Sequence, residues 1–255
     1  MQPMPSSISE SNSTSPPALV DLNGAELLLD PSGAVFWVEE RALLIADMHL
    51  EKGSSFARRG QMLPPYDTQE TLSRLAQQIR RHQPRTVIAL GDSLHDRWAE
   101  ERLPQQARDS LLALQQGLNF IWIAGNHDPL PHGFGGEGLA ELKLGPLTFR
   151  HEPSENEPTE SETRGGEPVG GEAAGELCGH LHPVARVATR GRSVRRRCFV
   201  TDGLRMVLPA FGAFTGGLDV RDPAIAGLFS TRPHDLHLLG DGRTYRLPAC
   251  ALRSR

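Results

Sequence analysis

Lysine is nearly absent from this 255-residue sequence: Lys52 and Lys143 stand alone among 27 basic residues. Arginine runs such as Arg195-Arg196-Arg197 therefore reflect a general preference for that residue as much as any local role. Cysteine is scarce too. Cys178, Cys198 and Cys250 are odd in number, widely spaced and without a CxxC pair, which argues against a disulfide framework and a thiolate zinc site and fits a reducing cytoplasm. No stretch reaches the roughly 18 consecutive apolar residues of a membrane span. Residues 1–19, rich in Ser, Pro, Asn and Thr, lack both the basic start and the apolar run of a secretory signal. The expectation is a soluble, cytoplasmic protein with a disordered tail over 1–19 and no membrane partner. A net charge of −4 provides no global basic field, so the class of partner must be read from a local site. No internal repeat is visible.

The length suffices to bury a full core, and residues 20–255 read as one domain. Glu26 to Leu29 and Val35 to Val38 flank the turn Asp30-Pro31-Ser32-Gly33, a hairpin signature. The apolar run Ala42 to Ala46 predicts a buried strand. Thr68 or Asp67 can cap a helix in which Leu72, Leu75 and Ile79 recur at helical spacing until Pro84 stops it, and Thr86 to Leu90 follows as a strand. A second helix over Gln105 to Gln116, with Ala107, Leu111 and Leu114 on one face, leads to the strand Phe120 to Ala124. Such alternation implies a parallel α/β core with right-handed crossovers.

From about Leu139 the pattern changes to short strands between Gly and Pro turns: Leu147 to Arg150, Val184 to Thr189, Cys198 to Thr201 and Met206 to Leu208. They predict a second, mostly antiparallel half, ending in a hairpin over Leu236 to Leu247 that turns at Gly240-Asp241-Gly242. Ser154 to Glu176, with seven Glu, one Arg and no aromatic residue, is too polar to order itself by burial and reads as a flexible acidic insertion.

Each parallel strand ends in residues that a strand interior would not tolerate. Asp47-Met48-His49 follows the first, Gly91-Asp92 the second and Gly125-Asn126-His127-Asp128 the third. Ligand sites of open α/β sheets form at the carboxyl ends of the strands, so the three sets should converge. If the chain is extended there, the period of two points Asp47 and His49 the same way, a carboxylate and an imidazole for one cation. Gly91 gives room to turn, and the two oxygens of Asp92 can bridge two metals. Asn126 offers an amide ligand, His127 a proton donor and Asp128 a carboxylate able to orient that donor. Gly179-His180-Leu181-His182 repeats the two-imidazole arrangement, and His151 sits at the end of a strand.

Taken in order, D-x-H, G-D, G-N-H-D, an isolated His and G-H-x-H resemble the motifs of the calcineurin-like metallophosphoesterase family. The resemblance implies a double β-sheet sandwich flanked by helices, of α/β class. It further implies one metal held by Asp47, His49 and His182, a second by Asn126, His151 and His180, and Asp92 bridging them. His127 would stabilise the transition state or protonate the leaving oxygen, with Asp128 fixing its orientation and Asn126 completing the catalytic group. A donor set of nitrogen and oxygen without thiolates suits Mn²⁺ first, with Fe or Zn²⁺ as alternatives. Two such metals, roughly 3.5 to 4 Å apart, can hold a bridging hydroxide for in-line attack on phosphorus.

A closer resemblance spans Leu44 to Gly53, Phe56 to Gly60, Leu63 to Asp67, Arg150 to Pro153, Leu208 to Gly212 and Thr215 to Val220. These segments are similar to the ligase-associated DNA-damage-response endonucleases, a bacterial branch of the family. That implies an endonuclease acting on DNA in repair, alongside a DNA ligase and a helicase. Arg58 and Arg59 follow the first metal motif, and Arg195, Arg196 and Arg197 follow the last; both clusters are candidates for tracking phosphates. Two alternatives stand beside DNA: a phosphodiesterase or phosphatase of nucleotides or other small molecules, and a non-catalytic scaffold of the same fold.

Overall fold

The computed structural model describes residues 18–129, 133–158, 163–164, 167–168, 175–189 and 192–252. A seven-stranded sheet forms from β1 (Ala18–Leu22), β2 (Ala25–Leu29), β3 (Val35–Trp37), β4 (Ala42–Ile45), β5 (Thr86–Leu90), β6 (Asn119–Ile123) and β7 (Glu137–Leu139), in chain order. β1 through β4 pair antiparallel, and β4 through β7 pair parallel. The expected tail over 1–19 therefore ends sooner, since Ala18 and Leu19 pair with Leu29 and Leu28. The rest of that tail lies outside the described residues.

Four helices lie along this half: α1 (Lys52–Arg58), α2 (Asp67–His82), α3 (Ala99–Arg102) and α4 (Gln105–Gln115). α2 carries its apolar stripe as expected, but neither Asp67 nor Thr68 caps it; Tyr66 occupies that position without a side-chain cap. Instead Asp67 accepts a hydrogen bond from the Gly53 amide (2.9 Å) and Thr68 accepts one from the Glu51 amide (2.9 Å). Both are diverted to fastening the loop after β4.

Alternate residues of the parallel strands face two cores, as a period of two demands. Leu43, Val87 and Phe120 pack under Leu72, Leu75 and Leu111 of the helices. Leu44, Ile88 and Ile121 face a second sheet that contributes Leu147, Leu177, Phe199 and Met206. Burial on both faces explains why these strands read as unbroken apolar runs.

The second half contains β8 (Leu142–Leu144), β9 (Leu147–Phe149), a short ladder of β10 (Thr163–Arg164) with β11 (Glu167–Pro168), then β12 (Gly175–Cys178), β13 (Pro183–Thr189), β14 (Arg192–Thr201), β15 (Arg205–Val207), β16 (Leu218–Asp219), α5 (Pro223–Ala226), a 3-10 turn over Gly227–Phe229, β17 (Asp235–Leu239) and β18 (Thr244–Pro248). The second sheet runs β16-β13-β14-β15-β12-β9-β8, with β17 attached to β14 and β18 to β17. It is less antiparallel than the turn-rich sequence predicts, because β9, β12 and β15 pair parallel at its centre. Its outer face packs Cys178, Cys198 and Val200 against Ile225 and Phe229. The result is two sheets face to face with helices outside them.

The ends of the acidic insertion are ordered, contrary to expectation. Glu176 lies in β12 and is buried with Arg205, which donates from Nε to its carboxylate. Arg205 Nη2 also donates to the carbonyls of Ser154 and Asn156, each at 2.8 Å, and the Ser154 amide donates to Glu176 (2.8 Å). Buried charges survive only when so paired. Residues 159–162, 165–166 and 169–174 of the insertion lie outside the described residues.

Candidate metal centre

The residues at the strand ends do converge, but by a different backbone route from an extended one. Asp47, His49, Asp92, His180 and His182 all have positive φ, between 44° and 68°. This left-handed region costs a non-glycine residue on the order of 1 kcal/mol or more, and such strain collects at functional sites. Backbone bonds hold the loops there: Asp47 N to Gly91 O (3.2 Å), His49 N to Asp92 O (2.8 Å) and Gly212 N to Asp47 O (3.1 Å). Gly91, at φ +74°, could not be replaced, since a Cβ would overlap the His151 ring. A Cβ at Gly125 would likewise strike Asp92.

Two donor groups result. In the first, His182 Nε2 lies 3.2 Å from Asp47 Oδ1 and 3.3 Å from His49 Nε2. In the second, Asn126 Oδ1 lies 2.9 Å from His151 Nε2 and 3.0 Å from His180 Nδ1, and the two imidazole nitrogens are 3.2 Å apart. Asp92 stands between them: Oδ2 is 3.7 Å from His49 Nε2, while Oδ1 is 3.4 Å from His151 Nε2. Asp47 also reaches both sides, since its Oδ1 is 3.7 Å from His151 Nδ1. Donor atoms of Asp47, His49 and His182, and of Asp47, Asp92 and His151, lie within 4.8 Å of one another.

These residues fit divalent cations on chemical grounds. Asp47 and Asp92 are buried, and their ion-pair partners among the described residues are histidines. Buried carboxylates need a compensating charge. Burial opposes ionisation of Asp92, yet its bond to His151 holds it down at about 2. Burial, with the neighbouring His182 ring, pushes His49 down to about 2, so it stays neutral with a lone pair available. His151 is pushed the other way: burial disfavours its charge, but Asp92 and Asp47 raise it to about 9. A proton on His151 thus stands in for the positive charge the carboxylates demand. Its Nδ1 lies 3.0 Å from the Leu90 carbonyl, an arrangement that turns Nε2 toward the site.

His127 sits at the exposed rim, with Nε2 3.9 Å from Asp92 Oδ2. Asp128 does not orient it. Asp128 is buried and accepts from the Leu94 amide at 3.0 Å, and burial raises its carboxyl to about 6. Orientation comes instead from His95, whose carbonyl lies 2.7 Å from His127 Nδ1 and whose ring stacks on His127 at 5.6 Å and 17°. His95 Nδ1 is also 3.4 Å from His49 Nδ1. The motif reading missed His95, although a histidine three residues beyond Asp92 in the same strand-end loop was a visible signal.

The arginine clusters divide. Arg58 and Arg59 are exposed at the end of α1. His95 is depressed to about 4 by burial, then by the charges of Lys52 and His127, with a smaller contribution from Arg59. Lys52 and Arg59 therefore extend a positive field into the centre, and Lys52 was not singled out in the sequence. Arg195 and Arg197 serve the fold: Arg195 Nη2 donates to Gly217 O (2.5 Å) and Arg197 Nη1 to Ala210 O (2.7 Å). Arg74 of α2 donates to Phe211 O (2.7 Å) in the same loop. Arg196 is exposed and points to the opposite face of β14, as alternation requires.

Comparison with known proteins places this geometry. No curated protein sequence matches the chain. Among solved structures, nuclease MPE of Pseudomonas putida is similar at 31% identity and a TM-score of 0.66, over 91% of this chain and 100% of that one. Vps29 of Entamoeba histolytica matches at 15% identity over 81% of this chain and 98% of its own, with a TM-score of 0.32, too low to bear on the fold. The family described as calcineurin-like phosphoesterase matches residues 40–190, which contain every one of the metal motifs. With its two-sheet fold and its convergent His, Asp and Asn donors, the chain belongs to the calcineurin-like phosphoesterase family and is a divalent-metal-dependent phosphoester hydrolase.

Proposed function

We propose that the protein is a nuclease that cleaves DNA phosphodiester bonds with two divalent metals, Mn²⁺ foremost. The observation that carries the two-metal reading is Asp92, one oxygen of which faces each donor group. Similarity to nuclease MPE supports the choice of a nucleic acid. So does the open rim, where Asn126 and His127 are exposed and a bulky polymer has access.

Asp47, His49, Asp92 and His182 would hold one ion, and Asn126, His151, His180 and Asp92 the other. Ions bound there polarise the phosphoryl oxygens and lower the pKa of an attacking water. His127, its Nδ1–H donated to the His95 carbonyl, presents Nε2 to the leaving oxygen; in the imidazolium form Nε2–H gives its proton to that oxygen as the P–O bond breaks, which leaves the neutral ring protonated on Nδ1. Lys52 and Arg59 add positive charge beside the site for the backbone phosphates. Buried free thiols at Cys178 and Cys198 are compatible with a reducing cytoplasm. A repair role alongside a ligase and a helicase rests on sequence resemblance.

The test is an activity panel of Mn²⁺-loaded protein on single- and double-stranded DNA, a small phosphodiester and a phosphomonoester. DNA cleavage that falls steeply with salt, beside a salt-insensitive small phosphodiesterase activity, supports the reading. Turnover of the small phosphodiester with DNA intact at low salt overturns it.

A further inference from the structure

Lys52 opens α1, three residues after His49, and its half-buried ammonium makes no hydrogen bond or ion pair among the described residues. Burial pushes it down from the ordinary 10.5, and the charge of Asp67 offsets that only in part. Asp67 is itself engaged by the Gly53 amide. The contact that Lys52 does make is aromatic, with Nζ 5.9 Å from the centroid of the Phe56 ring. A cation so placed is stabilised by an anion that arrives with the substrate.

Lys52, Phe56 and Arg59 recur at i, i+4 and i+7, which puts them on one face of α1. That face meets the metal centre at His95. The His95 ring lies 5.9 Å from Phe56, stacks on His127 at 5.6 Å and brings its Nδ1 to 3.4 Å from Nδ1 of His49. The charge of Lys52 is felt at both His95 and His49, and that of Arg59 at His95. Arg59 is exposed, and its guanidinium makes no hydrogen bond or ion pair among the described residues. Two cations without a carboxylate partner therefore stand on the flank of His127, the side from which the leaving oxygen is protonated. The flank of the second donor group differs. Beside Asn126 and His151, a cavity of about 280 Å³ is lined by Arg150 and Glu152. Arg150 is engaged by Glu141 (2.9 Å) and Glu176 (3.4 Å), and the charge of Glu152 is felt at His180.

We propose that Lys52 and Arg59 bind the first phosphate beyond the scissile one on the leaving side, so that the preferred leaving group itself carries a phosphate. The proposal rests on the nuclease reading and deepens it. The bond selected is one with a further phosphodiester on the His127 side, hence an internal bond with respect to that end of the strand. A nucleoside or a phenol, which brings no anion to Lys52, is the poorer leaving group.

The test uses the trinucleotide TpTpT and its two analogues in which one linkage is a methylphosphonate, neutral and resistant to hydrolysis. Each analogue keeps one cleavable bond, and a 3′- or 5′-phosphate on the product shows which oxygen departs and so which neighbour is the leaving-side phosphate. Neutralising that neighbour is expected to lower kcat/KM in wild type by roughly 10-fold or more relative to the same bond of TpTpT, the loss of a charged hydrogen bond. Neutralising the other neighbour should change it by less than about 3-fold. In the double variant Lys52→Met, Arg59→Ala the leaving-side penalty should shrink to less than about 3-fold. Equal penalties at the two neighbours in wild type, or none, overturn the proposal without any variant, as does a full penalty in the double variant. If wild type hydrolyses bis(4-nitrophenyl) phosphate but neither TpTpT nor longer DNA, the nuclease reading fails separately. Calorimetric binding of thymidine 3′,5′-bisphosphate and of the two monophosphates to Mn²⁺-loaded protein then decides the subsite. Binding of the bisphosphate about 10-fold tighter in wild type, lost in the double variant, upholds it. Equal binding in wild type, or a preference kept in the double variant, overturns it.

Discussion

His127 Nδ1 lies 2.7 Å from the main-chain carbonyl of His95, not against the carboxylate next to it in sequence. A backbone acceptor survives any substitution at its own position, so the tautomer that leaves His127 Nε2 facing the site is set by the fold of the loop after β5. Asp128 has a separate task, holding that loop through the Leu94 amide.

Replacing His127 by Ala is expected to lower kcat by roughly 10²- to 10⁴-fold, the range for a general acid, with metal content unchanged by elemental analysis. Asp128→Asn keeps an acceptor for Leu94 and is expected to lower kcat by less than about 10-fold. A loss as large as that of His127→Ala would restore Asp128 to the catalytic group.

Metal-loaded protein is expected to hold two ions per chain, with activity abolished by a chelator and restored by Mn²⁺. Full activity with one tightly held ion would rule out the bridging role of Asp92. In the metal-free protein, His151 is expected to titrate near 9 by NMR, and to lose that titration when metal replaces its proton.

Arg197 and Arg74 clamp the loop whose Phe211 and Gly212 amides bond the carbonyls of Ala46 and Asp47. Arg197→Met is therefore expected to reduce turnover of DNA and of a small phosphodiester alike. Arg59→Ala should raise KM for DNA selectively. The reverse pattern would return Arg197 to direct substrate contact.

The acidic insertion leaves and re-enters the fold beside Arg205, three residues of strand, about 10 Å, before Gly179 and the His180 motif. Deleting residues 157–174 is accordingly expected to leave KM for DNA unchanged at low salt. Arg205→Met, which leaves the buried Glu176 carboxylate only the 3.4 Å ion pair with Arg150 and the Ser154 amide, should cost up to about 3 kcal/mol in urea unfolding.

Asp96 and Arg102 form two bonds of 2.9 Å at the edge of the same loop. Burial alone would raise the Asp96 carboxyl, but Arg102 outweighs it and holds it at about 2, below its ordinary 3.8. A carboxyl that binds its proton more weakly when folded adds stability above its unfolded pKa and loses it as pH falls through the folded one. The stability gap between wild type and Asp96→Asn should therefore close between about pH 4 and pH 2. A gap independent of pH would show that the pair's charge contributes nothing.

The parallel strands and their helices were legible because burial on both faces writes itself as apolar runs such as Thr86 to Leu90, and a helix facing one core writes a 3.6-residue stripe such as Leu72, Leu75 and Ile79. The donor residues were legible because no strand interior tolerates Asp47, Asp92 or His180, so their position after apolar runs betrayed them. Asp67 and Thr68 were misread because a side chain that satisfies backbone groups of a loop distant in sequence looks, in the sequence, like a local cap; the backbone bonds of Arg195 and Arg197 to Gly217 and Ala210 were illegible for the same reason. His95 was visible as a histidine after Asp92, but its role was not, because the bond that orients His127 is made by its main-chain carbonyl.

Residue types and their order thus determined the strands, the helices and which His, Asp and Asn residues stand at the strand ends of this protein, since each follows from burial and chemistry within a short window. Tertiary structure alone decided that five of the strand-end residues take left-handed backbone, that His95 rather than Asp128 orients His127, and that the insertion is tethered at Arg205. Those outcomes depend on hydrogen bonds between segments far apart in the chain, whose geometry no local pattern of residues encodes.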